Sequence, residues 1–295
     1  MVKPGASMHS RDVKPVLKWA GGKRQLLEPI LSFVDRAFPD RIEKYYEPFA
    51  GGAAVFFALS ARGKFERAKL TDMNADLIRV YSELRDNADA VILELEKLLD
   101  LGHSAEVYYK IRDHRPTKHS KRAARMIYLN RTGYNGLYRV NSSGEFNVPF
   151  GRYKTPRILD EARLRAAARA LEGVELAVED FETACKSAKR GDFVYFDPPY
   201  VPVSKTASFA AYHSKPFDLA EHERLAKTYA RLTKRGVSLL LSNSDTPQTR
   251  ELFQGFDWTT VQATRAINSK GAQRGAVSEL LVRSDANKKP KARTR

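Results

Sequence analysis

Short apolar or alternating runs, typical of β-strands, recur along the 295-residue chain. In the second half they alternate with helical patterns such as 160–172 and 218–235, and this alternation predicts an α/β fold with a mostly parallel sheet. The last two strand candidates are separated only by a loop around 268–271, which predicts an antiparallel hairpin at one sheet edge. The strand candidates are 44–49, 67–71, 174–178, 192–197, 237–242, 257–264 and 276–282.

The stretch from about 76 to 158 departs from this alternation. It begins with helical patterns at 76–100 and 105–113, then becomes rich in Arg, Lys, Tyr, Asn and Gly without a strong parallel strand. Its basic content suggests that it faces a nucleic acid. The predicted division is a disordered basic tail at each end (1–12 and 285–295), a discontinuous α/β domain (13–75 and 159–284) and an inserted, mainly helical domain (76–158).

Charge and composition narrow the class of protein. A formal net charge of +16 and a pI near 9.8 favour a polyanionic partner, nucleic acid before a membrane. No run approaches the ~18 apolar residues of a membrane span, and residues 1–15 lack the apolar core of a signal peptide. Cys185 is the single cysteine, and the histidines show no zinc-ligand grouping, so we predict no metal site. A cytoplasmic protein follows.

The most informative motif is Asp197-Pro198-Pro199-Tyr200, which follows the apolar strand candidate 192–197. The prolines lack N–H groups and fix φ, so the turn is stiff. The Asp197 carboxylate and the Pro198 carbonyl are two hydrogen-bond acceptors beside an aromatic ring. Two acceptors beside such a ring suit a planar heterocycle that carries an exocyclic NH2 group, such as adenine.

A glycine turn at 48–53 lies between a strand candidate and an apolar helix. Glycines such as Gly51 let the backbone approach a ligand, and the helix N-terminus offers free N–H groups. Asp72 ends the next strand about twenty residues on, a spacing that commonly holds ribose hydroxyls. The turn departs from G-x-G-x-x-G, which disfavours a nicotinamide cofactor. A nucleoside-like ligand and a tight turn followed by a helix-capping Asp explain these residues equally well.

Two further segments are each compatible with a ligand-binding role and with a purely structural role. Gly22-Lys23 suggests a phosphate-binding loop, but Leu17 and Arg24 stand where that motif has Gly and Ser or Thr, which argues against ATP hydrolysis. Trp19 and Lys23 suit either a cover for an aromatic ligand or an aromatic anchor with a surface lysine. Asp180-Phe181, after the strand at 174–178, suits either an adenine contact or a helix N-cap.

Taken in order, these motifs resemble the Dam-type (α-class, D12) DNA adenine-N6 methyltransferases, from Val16 to about Arg283. The resemblance implies a Rossmann-like methyltransferase sheet, S-adenosylmethionine as methyl donor and no metal. Ala53 stands where the family's Phe-x-Gly-x-Gly pattern often has its second glycine. The cofactor contacts that the resemblance implies are Trp19, Lys23, Phe49, Gly51, Asp72, Asp180, Phe181 and Asp197.

The segment 128–152 carries the closest likeness, and in the family it reads GATC in double-stranded DNA. The resemblance implies that Tyr134 wedges into the base stack and that Asn135 faces the base left unpaired by flipping. Arg and Lys pair with guanine O6 and N7, although arginines also touch phosphates without reading sequence. The implied contacts to base edges are Leu137, Arg139 and Pro149, with Lys18 at the leading guanine.

These residues predict direct methyl transfer to N6 of an adenine flipped from the duplex. The adenine would stack on Tyr200, with its amino hydrogens held by Asp197 and the Pro198 carbonyl. Asp197 is expected to act as an acceptor, since a carboxylate pKa of about 3.9 makes a weak base. The small-residue loop at 201–212 is expected to close over the base.

Two other functions stay open on the residues alone. The Asp-Pro-Pro-Tyr turn accepts any suitable exocyclic amine, so methylation of RNA or of cytosine N4 is one alternative. A DNA-binding protein without catalysis is the other, which the intact motifs disfavour. We expect a monomer that acts on nucleoid DNA in the cytoplasm. A solitary methylase and a partner of a restriction endonuclease are equally compatible with the sequence.

Overall fold

The computed structural model describes residues 13–19, 26–201, 217–264 and 276–286. Within them, strands form one sheet in the order β3-β2-β1-β4-β5-β7-β6, parallel except for β7, which is antiparallel to both of its neighbours. The strands are β1 (Ile42–Glu47), β2 (Phe65–Thr71), β3 (Glu175–Ala177), β4 (Phe193–Phe196), β5 (Ser238–Ser244), β6 (Asp257–Thr264) and β7 (Ala276–Ser284).

The predicted α/β class, the strand candidates and the edge hairpin are confirmed, with bounds that differ by a few residues. β6 and β7 pair from Asp257 opposite Arg283 to Thr264 opposite Ala276. The loop between them lies outside the described residues. None of the described helices is long and apolar enough to span a membrane.

The order of strands reverses between β1 and β4. The chain moves from β1 outward to β2 and β3 on one side, and from β4 outward to β5 on the other. In open α/β sheets, ligands bind outside the carboxyl ends of the strands at such a reversal. The turns that follow β1 and β4 are the glycine turn and the Asp197 turn, so the fold brings both motifs to one crevice.

Helices cover both faces of the sheet, which explains why β4 is an unbroken apolar run. Phe193 and Tyr195 face one hydrophobic cluster, and Val194 and Phe196 face the other. The pattern does not predict α1 or α5. The helices are α1 (Leu27–Ala37), α2 (Ala54–Ala61), α3 (Ala75–Asp100), α4 (Ala105–Asp113), α5 (His119–Thr132), α6 (Glu161–Leu171), α7 (Phe181–Ala184), α8 (Leu219–Lys234) and α9 (Pro247–Leu252).

The helices α3, α4 and α5 precede an irregular segment that closes with bridges between Gly133 and Phe150 and between Val140 and Phe146. Buried tyrosines of these helices belong to the same hydrophobic cluster as Tyr45 of β1. The core is therefore continuous from the sheet into the segment 76–158. The division into separate domains at 76 and 158 stays a prediction.

Candidate active site and nucleic-acid interface

The glycine turn after β1 is braced from two sides. The Gly51 N–H donates to Asp72 Oδ2 at 3.0 Å, and the Tyr81 hydroxyl donates to the Gly51 carbonyl at 2.6 Å. Asp72 Oδ1 accepts from the Asn74 N–H at 2.9 Å. Asn74, and not Asp72, caps α3 by accepting from two of its first N–H groups. Asp72 therefore supports the turn at the carboxyl end of β2, where it was expected to meet a ligand.

Trp19 lies over this turn. A Cβ added at Gly51 would lie 2.9 Å from Trp19 Cδ1, and Gly51 has a φ of +46°, so both space and backbone conformation demand glycine there. The indole also stacks on the buried Tyr138 ring, with centroids 5.5 Å apart. Ala53, at the position where the family often has glycine, has the left-handed φ of +52° that glycine would favour. Lys23 lies outside the described residues.

Phe49 and the Asp180-Phe181 pair meet beside the crevice. The Phe49 and Phe181 rings stack with centroids 5.5 Å apart. Asp180 caps α7 by accepting from the Glu182 N–H and pairs through both oxygens with Arg224, at 2.5 and 2.8 Å. The structure thus shows the N-cap that the sequence offers for Asp180, and a cofactor contact by this carboxylate stays a prediction.

The Asp197 turn is held by polar residues of β5 and β7. Ser242 is fully buried and donates to Asp197 Oδ1 at 3.0 Å. Because its single proton goes to Asp197, Ser242 accepts from the Tyr195 hydroxyl, 2.9 Å away. The Tyr200 hydroxyl donates to Glu279 Oε2 at 2.7 Å. Burial, with the charges of Asp197 and Glu279, raises the pKa of Tyr200 well above its ordinary value, so the hydroxyl stays a donor.

The segment after this turn is anchored as well. The Val201 N–H donates to Asn243 Oδ1 at 3.1 Å, and Ser244 Oγ donates to the Val201 carbonyl at 2.8 Å. Pro198 is buried and Pro199 is half-buried. The loop that is expected to close over the base, 202–212, lies outside the described residues. Sequence reasoning does not identify the anchors of the turn, which are Ser242, Asn243 and Ser244. Polar residues at the end of an apolar run are typical of the start of a loop.

Glu47, the last residue of β1, is a further residue that sequence reasoning misses. Its side chain is buried, and Oε2 accepts from the Tyr45 hydroxyl at 2.8 Å and from the Phe56 N–H at 3.0 Å. Burial raises its pKa to about 8, and the charge of Asp197 acts in the same direction. A neutral carboxylic acid therefore lies beneath the crevice at neutral pH.

The predicted base-reading residues share one surface. Tyr134, Asn135, Arg139 and Pro149 are exposed, and Leu137 is half-exposed. The Tyr134 N–H donates to the Pro149 carbonyl at 2.9 Å, which joins the two ends of the segment. The Arg139 guanidinium donates to the side chain and carbonyl of Asn147 at 2.7 and 3.1 Å, so it is oriented but exposed.

Lys18 joins this surface from the N-terminal side. Its backbone pairs with the side chain of Asn130 in α5, and its Nζ lies 4.8 Å from the centre of the Tyr153 ring. Partial burial, then the charge of Arg131, lowers its pKa. The structure thus brings together all six residues that were expected to contact DNA.

The described residues of the crevice suit a nucleoside-containing cation. They offer a glycine turn with no room for a side chain, an indole over it, the Asp72 carboxylate at its base and the paired rings of Phe49 and Phe181 beside it. In the described part of the chain, no group of three His, Cys, Asp or Glu side chains is placed to hold a metal.

The comparisons with known proteins agree with this geometry. The family model of the D12 class N6 adenine-specific DNA methyltransferases matches residues 19–267. The type II methyltransferase M.MjaIII of Methanocaldococcus jannaschii is 43% identical, over 92% of this chain and 99% of its own length. The DNA adenine methylase of Escherichia coli (strain K12) is 39% identical, over 90% and 93% of the two chains.

Among solved structures, the N-methyltransferase NodS from Bradyrhizobium japonicum WM9 aligns over 89% of this chain and 98% of its own, with a TM-score of 0.34 and 9% identity. That likeness adds no weight. The family match and the sequence relatives decide the assignment. The chain belongs to the D12 class of N6 adenine-specific DNA methyltransferases, and it is an enzyme that methylates adenine in DNA.

Proposed function

We propose that the protein transfers the methyl group of S-adenosylmethionine to N6 of an adenine flipped out of duplex DNA, within the sequence GATC. The observation that carries the proposal is the Asp197-to-Tyr200 turn, held by β5 and β7 at the point where the strand order reverses. Trp19 lies over the glycine turn, and its neighbour Lys18 packs against Gly136, which belongs to the segment with the base-reading residues.

S-adenosylmethionine, when bound, supplies a methyl group activated by a positively charged sulfur. The residues that would hold it are Asp72 and the Gly51 turn beneath Trp19, with Phe49 and Phe181 for the adenine moiety. A side chain at Gly51 would collide with the Trp19 ring, so the glycine lets the indole lie directly against the turn. Lys23 and Asp180 belong to the proposed contacts through the family resemblance.

Asp197 and the Pro198 carbonyl would accept the two N6 hydrogens of the flipped adenine, and Tyr200 would stack on the ring. Two acceptors on one amino group favour its pyramidal form and offset the positive charge that develops on nitrogen. Fixed acceptors also orient the base, which lowers the entropic part of the barrier. The Ser242 hydroxyl keeps the Asp197 carboxylate in place while this happens.

Each of the six exposed or half-exposed residues would contribute either to flipping of the adenine or to recognition of the DNA sequence. Tyr134 would fill the space left by the flipped base, with Asn135 at its former partner. Arg139 and Lys18 would read guanines, and Leu137 and Pro149 would meet thymine methyl groups. GATC is supported by the likeness of the 128–152 segment to Dam-type enzymes. The net charge of +16 supports duplex binding, and we expect a monomer that acts in the cytoplasm on nucleoid DNA.

The test exposes unmethylated DNA to the protein and labelled S-adenosylmethionine, then maps the modified base. We expect label on N6 of adenine in GATC. Asp197→Asn should abolish transfer and leave duplex binding within about twofold, because the change keeps the shape of the side chain and removes its charge. Asp86→Asn, which alters an exposed carboxylate paired with Arg85, is the matched control and should transfer normally. Label on cytosine or outside GATC, or an active Asp197→Asn variant, would overturn the proposal.

A further inference from the structure

Asn130 of α5 has a buried side-chain amide that hydrogen-bonds to the backbone of two residues, the distant Lys18 and the nearby Gly136. Its side chain has no exposed surface. Oδ1 accepts from the Lys18 N–H at 2.8 Å, and Nδ2 donates to the Lys18 carbonyl at 2.7 Å. The second Nδ2 hydrogen goes to the Gly136 carbonyl at 3.1 Å. The amide thus pairs with Lys18 as a neighbouring strand would, across 112 positions of sequence.

The third hydrogen bond reaches the turn that carries the base-reading residues. Gly136 ends the turn Tyr134–Gly136, and the Leu137 N–H closes it by donating to the Tyr134 carbonyl at 3.1 Å. Gly136 has a φ of +62°, and a Cβ there would lie 2.6 Å from Lys18 Cβ. The turn therefore packs directly against the lysine, and a side chain at Gly136 would push the two apart.

The same stretch reaches the glycine turn one residue further on. Trp19 follows Lys18 and lies over Gly51, and it stacks on Tyr138, which follows Leu137. These contacts consequently fix the position of Lys18 relative to the base-reading turn, and the cofactor side of the crevice lies next to both. That relation decides whether a lysine head group and the turn can meet neighbouring base pairs at the same time.

We propose that Asn130 is a positioning residue for sequence discrimination. It fixes Lys18 against the 134–137 turn, and so sets the selectivity of the enzyme at the leading guanine of GATC, which is called the outer guanine below. The inference rests on the proposed function, in which Lys18 reads that guanine. Asn130 acts through the Lys18 backbone, because its amide is buried and its donors and acceptor are engaged within the protein.

The experiment compares a GATC duplex with three duplexes in which the leading G·C pair is replaced. Single-turnover methylation rates and binding by fluorescence anisotropy each give a discrimination ratio. We expect Lys18→Ala and Asn130→Ala each to lower both ratios by roughly 5- to 100-fold, the worth of one good base contact. The double variant should lose no more than either single one, since both act through the same side chain.

The matched control is Thr132→Val, which removes a buried hydroxyl of the same helix whose hydrogen bond goes to the Tyr128 carbonyl within that helix. It should lower stability and leave the ratios unchanged. Gly136→Ala disturbs the contact from the opposite side and should lower the ratios, so a failure of Asn130→Ala to fold leaves the idea testable.

The outcomes separate this inference from the proposed function. If Asn130→Ala slows methylation of all four duplexes by one common factor while Lys18→Ala lowers the ratios, the positioning role is refuted and the reading by Lys18 stands. If Lys18→Ala leaves the ratios unchanged, the assignment of the outer guanine to Lys18 fails, and the role of Asn130 fails with it.

Discussion

Glu47→Gln is expected to stabilise the protein at neutral pH. In the folded protein, burial raises the pKa of Glu47 to about 8, whereas an unfolded glutamate titrates near its ordinary 4.5. Between these values the unfolded chain binds fewer protons than the folded one, so the stability falls as the pH rises. A glutamine is neutral at every pH, and its amide oxygen can still accept from the Tyr45 hydroxyl and the Phe56 N–H.

The magnitude follows from the displacement of the pKa. Each unit corresponds to about 1.4 kcal/mol, so holding Glu47 protonated lowers the free energy of unfolding by up to about 3 kcal/mol at pH 7. The penalty vanishes below the unfolded pKa and is complete above about pH 8. The advantage of the glutamine variant should therefore be small at pH 5 and grow by about 2–3 kcal/mol at pH 7.

Urea unfolding followed by circular dichroism at pH 5, 6, 7 and 8 measures this difference. Glu96→Gln, on the exposed face of α3, serves as control and should show no such growth. A glutamine advantage that is the same at pH 5 and pH 8 would show that Glu47 is ionised in the folded protein, and the reasoning from burial would be wrong.

Three further predictions concern the supports of the site. Ser242→Ala should slow single-turnover methylation roughly 10-fold with DNA affinity unchanged, because Asp197 loses a charge-assisted hydrogen bond; an unchanged rate would contradict this. Asp72→Ala should weaken S-adenosylmethionine binding measured by calorimetry at least about 10-fold, and normal affinity would remove Asp72 from the cofactor site. Arg224→Met should lower the free energy of unfolding by only about 1 kcal/mol in urea, since its pair with Asp180 is partly exposed, and a larger loss would show tighter coupling.

The centre of the sheet was predictable because strands β4 and β5 are buried on both faces. Such strands form apolar runs whose length and flanking turns suffice to locate them, as for β4 and β5. The position of the crevice was predictable too, since parallel strands bring their carboxyl ends to one edge. The helix α5 was not predicted because its polar and charged residues obscure the buried stripe of Ala123, Ala124 and Ile127.

The residues that support the site, in contrast, could not be predicted from the sequence. Ser242 and Asp197 are 45 positions apart and meet because β4 and β5 pair in a particular register, and Asn130 and Lys18 are 112 positions apart. Polar residues in such places look like turn formers or solvent-facing positions in a single sequence, because local pattern records polarity and not burial. A buried polar group must nevertheless find its partners. The residues that hold catalytic and base-reading groups in place are therefore those for which three-dimensional contacts are indispensable, and Ser242 and Asn130 are the two in which activity and specificity can be tested separately.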